Sequence, residues 1–173
     1  MASGTFSDPR TMLFVAPVVS TTCTLLFARD QDFFLSLFTE KNVPASHQSH
    51  INTILPNHYS RFFRKGIYGV VGFIGATAWL SSGSAYRLGR EHAAFKWYAG
   101  AAALAVGHLG FVPWIAPRVQ KLAEGEEGKQ ENVEVLREWL GLNYLRMWTT
   151  DLGAWACALV AVMKTLVPQG EDW

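Results

Sequence analysis

Cysteine is scarce in this chain, with two in 173 residues, Cys23 and Cys157. Each sits alone inside an apolar stretch, which excludes a disulfide framework and reads as buried, unreactive thiol. No Cys/His cluster has zinc spacing, and no glycine-rich phosphate loop follows a strand. A formal net charge of +1 gives nucleic acid nothing to hold. Most telling is where charge is missing. Thr11–Ala28 and Gly66–Tyr86 contain no Asp, Glu, Lys, Arg or His, while Trp97–Pro117 admits only His108, and Met147–Val167 only Asp151 and Lys164.

Four such stretches, each about the length needed to cross a bilayer, predict an all-α fold. The expectation is one integral membrane domain over residues 1–173, a four-helix transmembrane bundle with helical extensions at the interface before spans two and four. Thr11–Ala28 reads as a retained first span, because its leader carries only Arg10 and no cleavage site precedes Arg29. Met1–Arg10 reads as a loose leader, Glu40–Gln48 and Lys121–Gln130 as loops. Helix signals return from Ile51 to Lys65, and Glu131–Arg146 runs without a breaker into span four. Pro113 and Pro117 should break span three near its end.

Lys and Arg concentrate in two long connections. Arg29–Lys65 holds Arg29, Lys41, Arg61, Arg64 and Lys65; Arg118–Arg146 holds Arg118, Lys121, Lys129, Arg137 and Arg146. The positive-inside rule puts both connections in the cytosol. Span two carries Gly66, Gly69, Gly72 and Gly75 every three residues, and span three supplies Ala101, Ala103, Gly107 and Gly110. Small residues let helices approach closely in lipid.

Two polar clusters stand where spans emerge. At 100° per residue, Trp139, Asn143, Arg146 and Thr150 fall within an arc of about 60°. They offer an aromatic plane, an amide, a guanidinium and a hydroxyl to a substrate, or an interfacial Trp and a snorkelling Arg to lipid. In the second cluster, Asn57 and Arg61 are i,i+4 neighbours with His58 beside them. His58 is a candidate base near neutral pH, or part of a basic stretch meeting anionic lipid. Both clusters are expected to converge on one pocket. His108 and Asp151 lie at membrane depth, where an ionisable group is expensive and should face the bundle. Trp114, with Trp79, Trp97, Trp139 and Trp148, suits an interfacial belt or a flat aromatic substrate.

Three stretches carry a resemblance: Tyr59-Ser60-Arg61-Phe62 leading into Gly66, Phe111-Val112-Pro113-Trp114-Ile115-Ala116-Pro117, and Trp139-Leu140-Gly141-Leu142-Asn143-Tyr144-Leu145-Arg146. The chain resembles the anthrone-oxygenase-like family of small four-helix membrane proteins of fungal secondary metabolism. The resemblance implies oxygenation of a polyphenolic anthrone with no metal, flavin or other cofactor. His58 or His108 would be the base, and Arg61 and Arg146 would stabilise the enolate. Asp151 would pair with Arg61, Arg64 or Arg146, or orient a histidine. Asn57, Trp114, Trp139, Asn143, Arg146 and Thr150 would hold a small apolar aromatic substrate drawn from the bilayer. The multi-pass protein would sit in the endoplasmic reticulum or another endomembrane, as a homo-oligomer or beside pathway enzymes. After Pro117 the chain reads Arg118-Val119, where the family has threonine-asparagine. That departure motivates a second reading, a cofactor-free membrane cyclase or isomerase of an apolar intermediate. A third is a non-catalytic anchor or assembly partner.

Overall fold

The computed structural model describes residues 8–39, 43–125 and 131–166. Among them the fold is all-α. Helix α1 (Pro9–Ser36) closes in a 3₁₀ turn at Leu37–Thr39, and α2 runs unbroken over 44 residues, Ala45–Leu88. Helix α3 (Phe95–Gly107) passes through a 3₁₀ turn, His108–Phe111, into α4 (Val112–Ala123). Helix α5 (Glu131–Arg146) passes through a π turn, Met147–Asp151, into α6 (Leu152–Leu166). These are four helical rods: α1, α2, α3–α4 and α5–α6.

Local chemistry sets the ends. The Asp8 carboxylate accepts from the Arg10 backbone N–H at 3.1 Å, and Pro9 opens α1 in the first turn, where a missing N–H costs nothing. Gly89 ends α2 with φ 77°, a conformation that side-chain-bearing residues rarely adopt. Helix α2 starts at Ala45, inside the stretch expected to be a loop; residues 1–7, 40–42, 126–130 and 167 of the expected leader, loops and last span lie outside the described residues.

Prolines inside the helices are answered from neighbouring rods. Pro17 has no N–H for the Leu13 carbonyl, and Ser84 of α2 donates to that oxygen at 3.3 Å. Pro56 likewise frees the Asn52 carbonyl, and Asn132 Nδ2 of α5 donates to it at 3.0 Å. Span three breaks earlier than its prolines suggested. The 3₁₀ turn begins at His108, and Pro113 sits in the first turn of α4, with Pro117 inside that helix. A proline disturbs the carbonyl four residues before it, so Pro113 acts on Leu109, within the turn.

The glycine seam is half as long as expected. A Cβ on Gly69 would meet the Phe27 ring of α1 at 3.3 Å, and one on Gly66 at 3.7 Å, whereas Gly72 and Gly75 have nothing within 4 Å. Each three-residue step falls about 60° short of a full turn, so the row leaves the interface after two positions.

Two apolar clusters close the ends of the bundle. One gathers Leu35, Leu55, Tyr59, Val119, Leu122, Leu136, Trp139 and Leu140; the other gathers Ala85, Ala94, Tyr98 and Ala161. Between them the interior is polar, with Ser20, Thr21, Thr77, Ser81, His108, Asn143, Arg146 and Asp151 all buried. The outside is the reverse: Val19, Leu26, Tyr68, Val71, Trp79, Val106, Leu109, Trp148 and Met163 are exposed. Two helical segments, Pro9–Thr39 and Phe95–Ala123, are long and apolar enough to cross a membrane.

Candidate active site

The two irregular turns carry the most polar part of the interior. A π turn inserts one residue per turn and redirects the side chains that follow it. Here it brings Asp151 of α5–α6 against His108, the first residue of the 3₁₀ turn on α3–α4. His108 Nδ1 lies 2.8 Å from Asp151 Oδ1. An ionised carboxylate only accepts, so against it Nδ1 is the donor, and in the neutral imidazole that leaves the lone pair on Nε2.

Arg146 stands one turn before Asp151, with its Nε 3.4 Å from Oδ2. Its Nη2 donates to Asn143 Oδ1 at 2.7 Å, and Asn143 Nδ2 donates to the Ala28 carbonyl of α1 at 3.3 Å. Thr150 Oγ1 donates to the Arg146 carbonyl at 3.0 Å. The chain of contacts ties three of the four rods together. The aspartate and the guanidinium offset each other's charge, which their burial requires.

His108 and Arg146 form part of the wall of a cavity of about 440 Å³. The rest of that wall is mainly apolar: Phe62, Phe63, Ile67 and Val70 of α2, Val112 and Ile115 of α4, and Trp139 of α5. Size and lining match a site for one small apolar molecule held by a few polar groups. Beneath it, Tyr59 and Trp139 pack edge to face with centroids 5.9 Å apart. Burial pushes the Tyr59 hydroxyl up from its ordinary value, so it stays a phenol.

Of the expected site residues, the structure brings together His108, Trp139, Asn143, Arg146, Thr150 and Asp151. The first three of the predicted arc, Trp139, Asn143 and Arg146, are buried rather than turned to the interface, with Thr150 half-buried beside Asp151. The expected convergence of both clusters on one pocket does not occur. Asn57, His58 and Arg61 are exposed, and His58 and Arg61 line an open outer groove with Arg64, Lys65 and Tyr68. Helix periodicity explains it: Tyr59 is the fully buried position of this stretch, and the residues flanking it turn outward. Trp114 is 59% exposed and lies off the cavity. Phe62 and Phe63 are cavity residues that sequence reasoning passed over as part of a basic run. Their apolarity amid Arg61, Arg64 and Lys65 was the available signal. Among the described residues, no group of three His, Cys, Asp or Glu side chains has the arrangement of a metal site.

No protein-family model matches the chain, and no solved structure matches it. It is similar to three fungal proteins over nearly its whole length. Epoxidase gkaX of Penicillium citrinum is 25% identical over 169 residues, covering 90% of this chain and 95% of the relative. Probable epoxidase scpX of Mollisia scopiformis is 24% identical over 166 residues, covering 90% and 96%. Epoxidase pydX of Acremonium sp is 23% identical over 171 residues, covering 91% and 96%. These relatives are named for oxygen transfer to a carbon–carbon double bond, a reaction of the oxygenase class but not anthrone oxidation.

Proposed function

We propose that this chain is a membrane-embedded oxygenase acting on a small, apolar, acidic intermediate, with epoxidation as its reaction. The observation that carries the reading is the His108–Asp151–Arg146 group in the wall of an otherwise apolar cavity. The relatives named epoxidases support the reaction class. The apolar outer surface supports placing all four rods in a bilayer, with the two long connections on one face. An endomembrane such as the endoplasmic reticulum fits a substrate that partitions into lipid.

His108 Nε2 is the base. It removes a proton from a phenolic O–H or an acidified C–H, and Arg146 stabilises the anion in a site of low dielectric. The electron-rich anion passes electrons to dioxygen and forms a carbon–oxygen bond, giving a hydroperoxide on the substrate. A second deprotonation makes the neighbouring carbon a nucleophile. It attacks the proximal peroxide oxygen, the O–O bond breaks, and hydroxide leaves to take a proton from the imidazolium. The sum is substrate-H₂ plus O₂ giving oxygenated substrate plus water. The substrate supplies all the electrons, so no other reductant enters. Asp151 fixes the imidazole tautomer and balances its transient charge. The same first steps on an anthrone would give a quinone, so the epoxide outcome depends on a double bond beside the deprotonated position.

The test is turnover of apolar phenolic substrates under ¹⁸O₂ by the protein in membranes. One labelled oxygen in the product is expected, with loss of labelling in His108→Gln. Product formed under strict anaerobiosis would overturn the reading in favour of a cyclase or isomerase.

A further inference from the structure

The His108–Asp151 pair has a second side. It also borders a small void of about 10 Å³, walled by Thr21 and Thr24 of α1, Ile74 and Thr77 of α2, Ala105, His108, Asp151 and Ala154. Its polar atoms are almost all committed as acceptors. Thr21 Oγ1 donates its proton to the Pro17 carbonyl at 2.8 Å, and Thr24 Oγ1 to the Ser20 carbonyl at 3.1 Å. Ser20 Oγ donates to the Phe73 carbonyl at 3.3 Å and stands 2.7 Å from Thr77 Oγ1, which makes Thr77 the donor of that pair. His108 Nδ1 donates to Asp151 Oδ1. That leaves hydroxyl lone pairs and the Asp151 carboxylate, whose buried Oδ2 makes no hydrogen bond among the described residues and is ion-paired to Arg146 Nε at 3.4 Å. The Asp151 residue is 4% exposed.

A void bordered by hydroxyl acceptors and a carboxylate that lacks a full set of hydrogen bonds suits a ligand that satisfies acceptors. Two kinds do so, a water molecule by donating hydrogens and a small cation by coordination. The volume is about that of one water-sized probe, the threshold for a single water with two or more polar partners. A cation is disfavoured because the Arg146 guanidinium already lies 3.4 Å from Oδ2 and would repel it. We infer that this void is a specific site for one ordered water, which donates one hydrogen to Asp151 Oδ2 and the other to a threonine hydroxyl oxygen of Thr21, Thr24 or Thr77. The site does not depend on the oxygenase reading. It adds a donor to those that His108, Thr150 and Arg146 already bring to the Asp151 carboxylate and helps fix the angle at which Asp151 holds His108. His108 then borders both an apolar chamber and a hydrated one.

The experiment is a structure of the full chain in nanodiscs at a resolution that shows waters, together with the proton resonance of His108 Nδ1–H in ¹⁵N-histidine-labelled protein. One water within hydrogen-bonding distance of Asp151 Oδ2 is expected. Thr77→Val should remove it and move the Nδ1–H resonance, and Thr77→Ser should restore both. A dry void in the wild type overturns the inference, as does a cation at the position, or a Thr77→Val protein with an unchanged water and resonance. If Thr77→Val does not fold, Thr24→Val is read in the same way. None of these outcomes uses turnover, so a failed oxygenase assay leaves the inference standing and a failed water site leaves the oxygenase reading standing.

Discussion

Asp151 Oδ1 lies 2.8 Å from His108 Nδ1, across 43 positions of sequence, between two rods that each break their α-helical geometry at the point of contact. The sequence left Asp151 a choice between an arginine and a histidine, and did not say which. In the fold each is the other's reason for being tolerated in an apolar bundle.

Replacing Asp151 by Asn should lower turnover by about 10²–10⁴-fold, the range for a positioned acid–base group, with little change in KM. The amide can donate to Nδ1 and so favours the wrong tautomer. Replacing Asp151 by Ala should also destabilise the protein by about 3–5 kcal/mol, because Arg146 is left buried without its counter-charge. Steady-state kinetics and thermal unfolding in detergent check the two. An Asp151→Asn enzyme with wild-type turnover would remove His108 from the mechanism.

His58→Ala and Arg61→Ala should keep turnover within about twofold of wild type, since both side chains are exposed and lie off the cavity that holds His108. A loss of tenfold or more in either would return the base or anion-binding role to the outer groove.

Ser84→Ala should cost about 0.5–1.5 kcal/mol by leaving the Leu13 carbonyl unpaired. The loss should vanish in a Pro17→Ala background. There residue 17 regains an N–H for Leu13, and the serine becomes redundant. A double-mutant cycle by chemical denaturation measures the coupling, and additive losses would contradict the account.

Gly69→Leu should destabilise by about 1–3 kcal/mol, because its side chain meets the Phe27 ring within the α1–α2 contact. Gly72→Leu, one step along the same row, should be neutral or stabilising, since nothing lies within 4 Å. Equal effects at both positions would mean the α1–α2 seam runs further than the structure gives it.

Filling the cavity separates binding from folding. Val112→Trp should raise KM severalfold or abolish turnover while leaving the unfolding midpoint nearly unchanged, since the residue lines the cavity and is itself exposed. Wild-type kinetics would show that the substrate uses another surface.

Periodicity alone placed Trp139, Asn143 and Arg146 on one face, because 3.6 residues per turn leaves no freedom once the stretch is helical, and packing turned that face inward. The same rule misled at Asn57–Arg61. It showed that these residues share a face but not which face, and the burial of Tyr59 settled that. The proline break in span three was legible in kind and misplaced by a few residues, because proline acts on the carbonyl a turn before it.

Uncharged length and sparse cysteine determined an all-helical chain with four apolar stretches. Composition is enough for that, since backbone groups without water must bond within their own helix. Partnership was decided only in three dimensions. Whether His108 is a lone imidazole or half of an ion-paired site depends on how two rods kink and meet, and that follows from packing between residues far apart in the chain. The answers to Pro17 and Pro56, and the cavity beside Arg146, arise the same way. A side chain's chemistry is fixed by its type, but its role is fixed by what faces it, and the facing residues come from other helices.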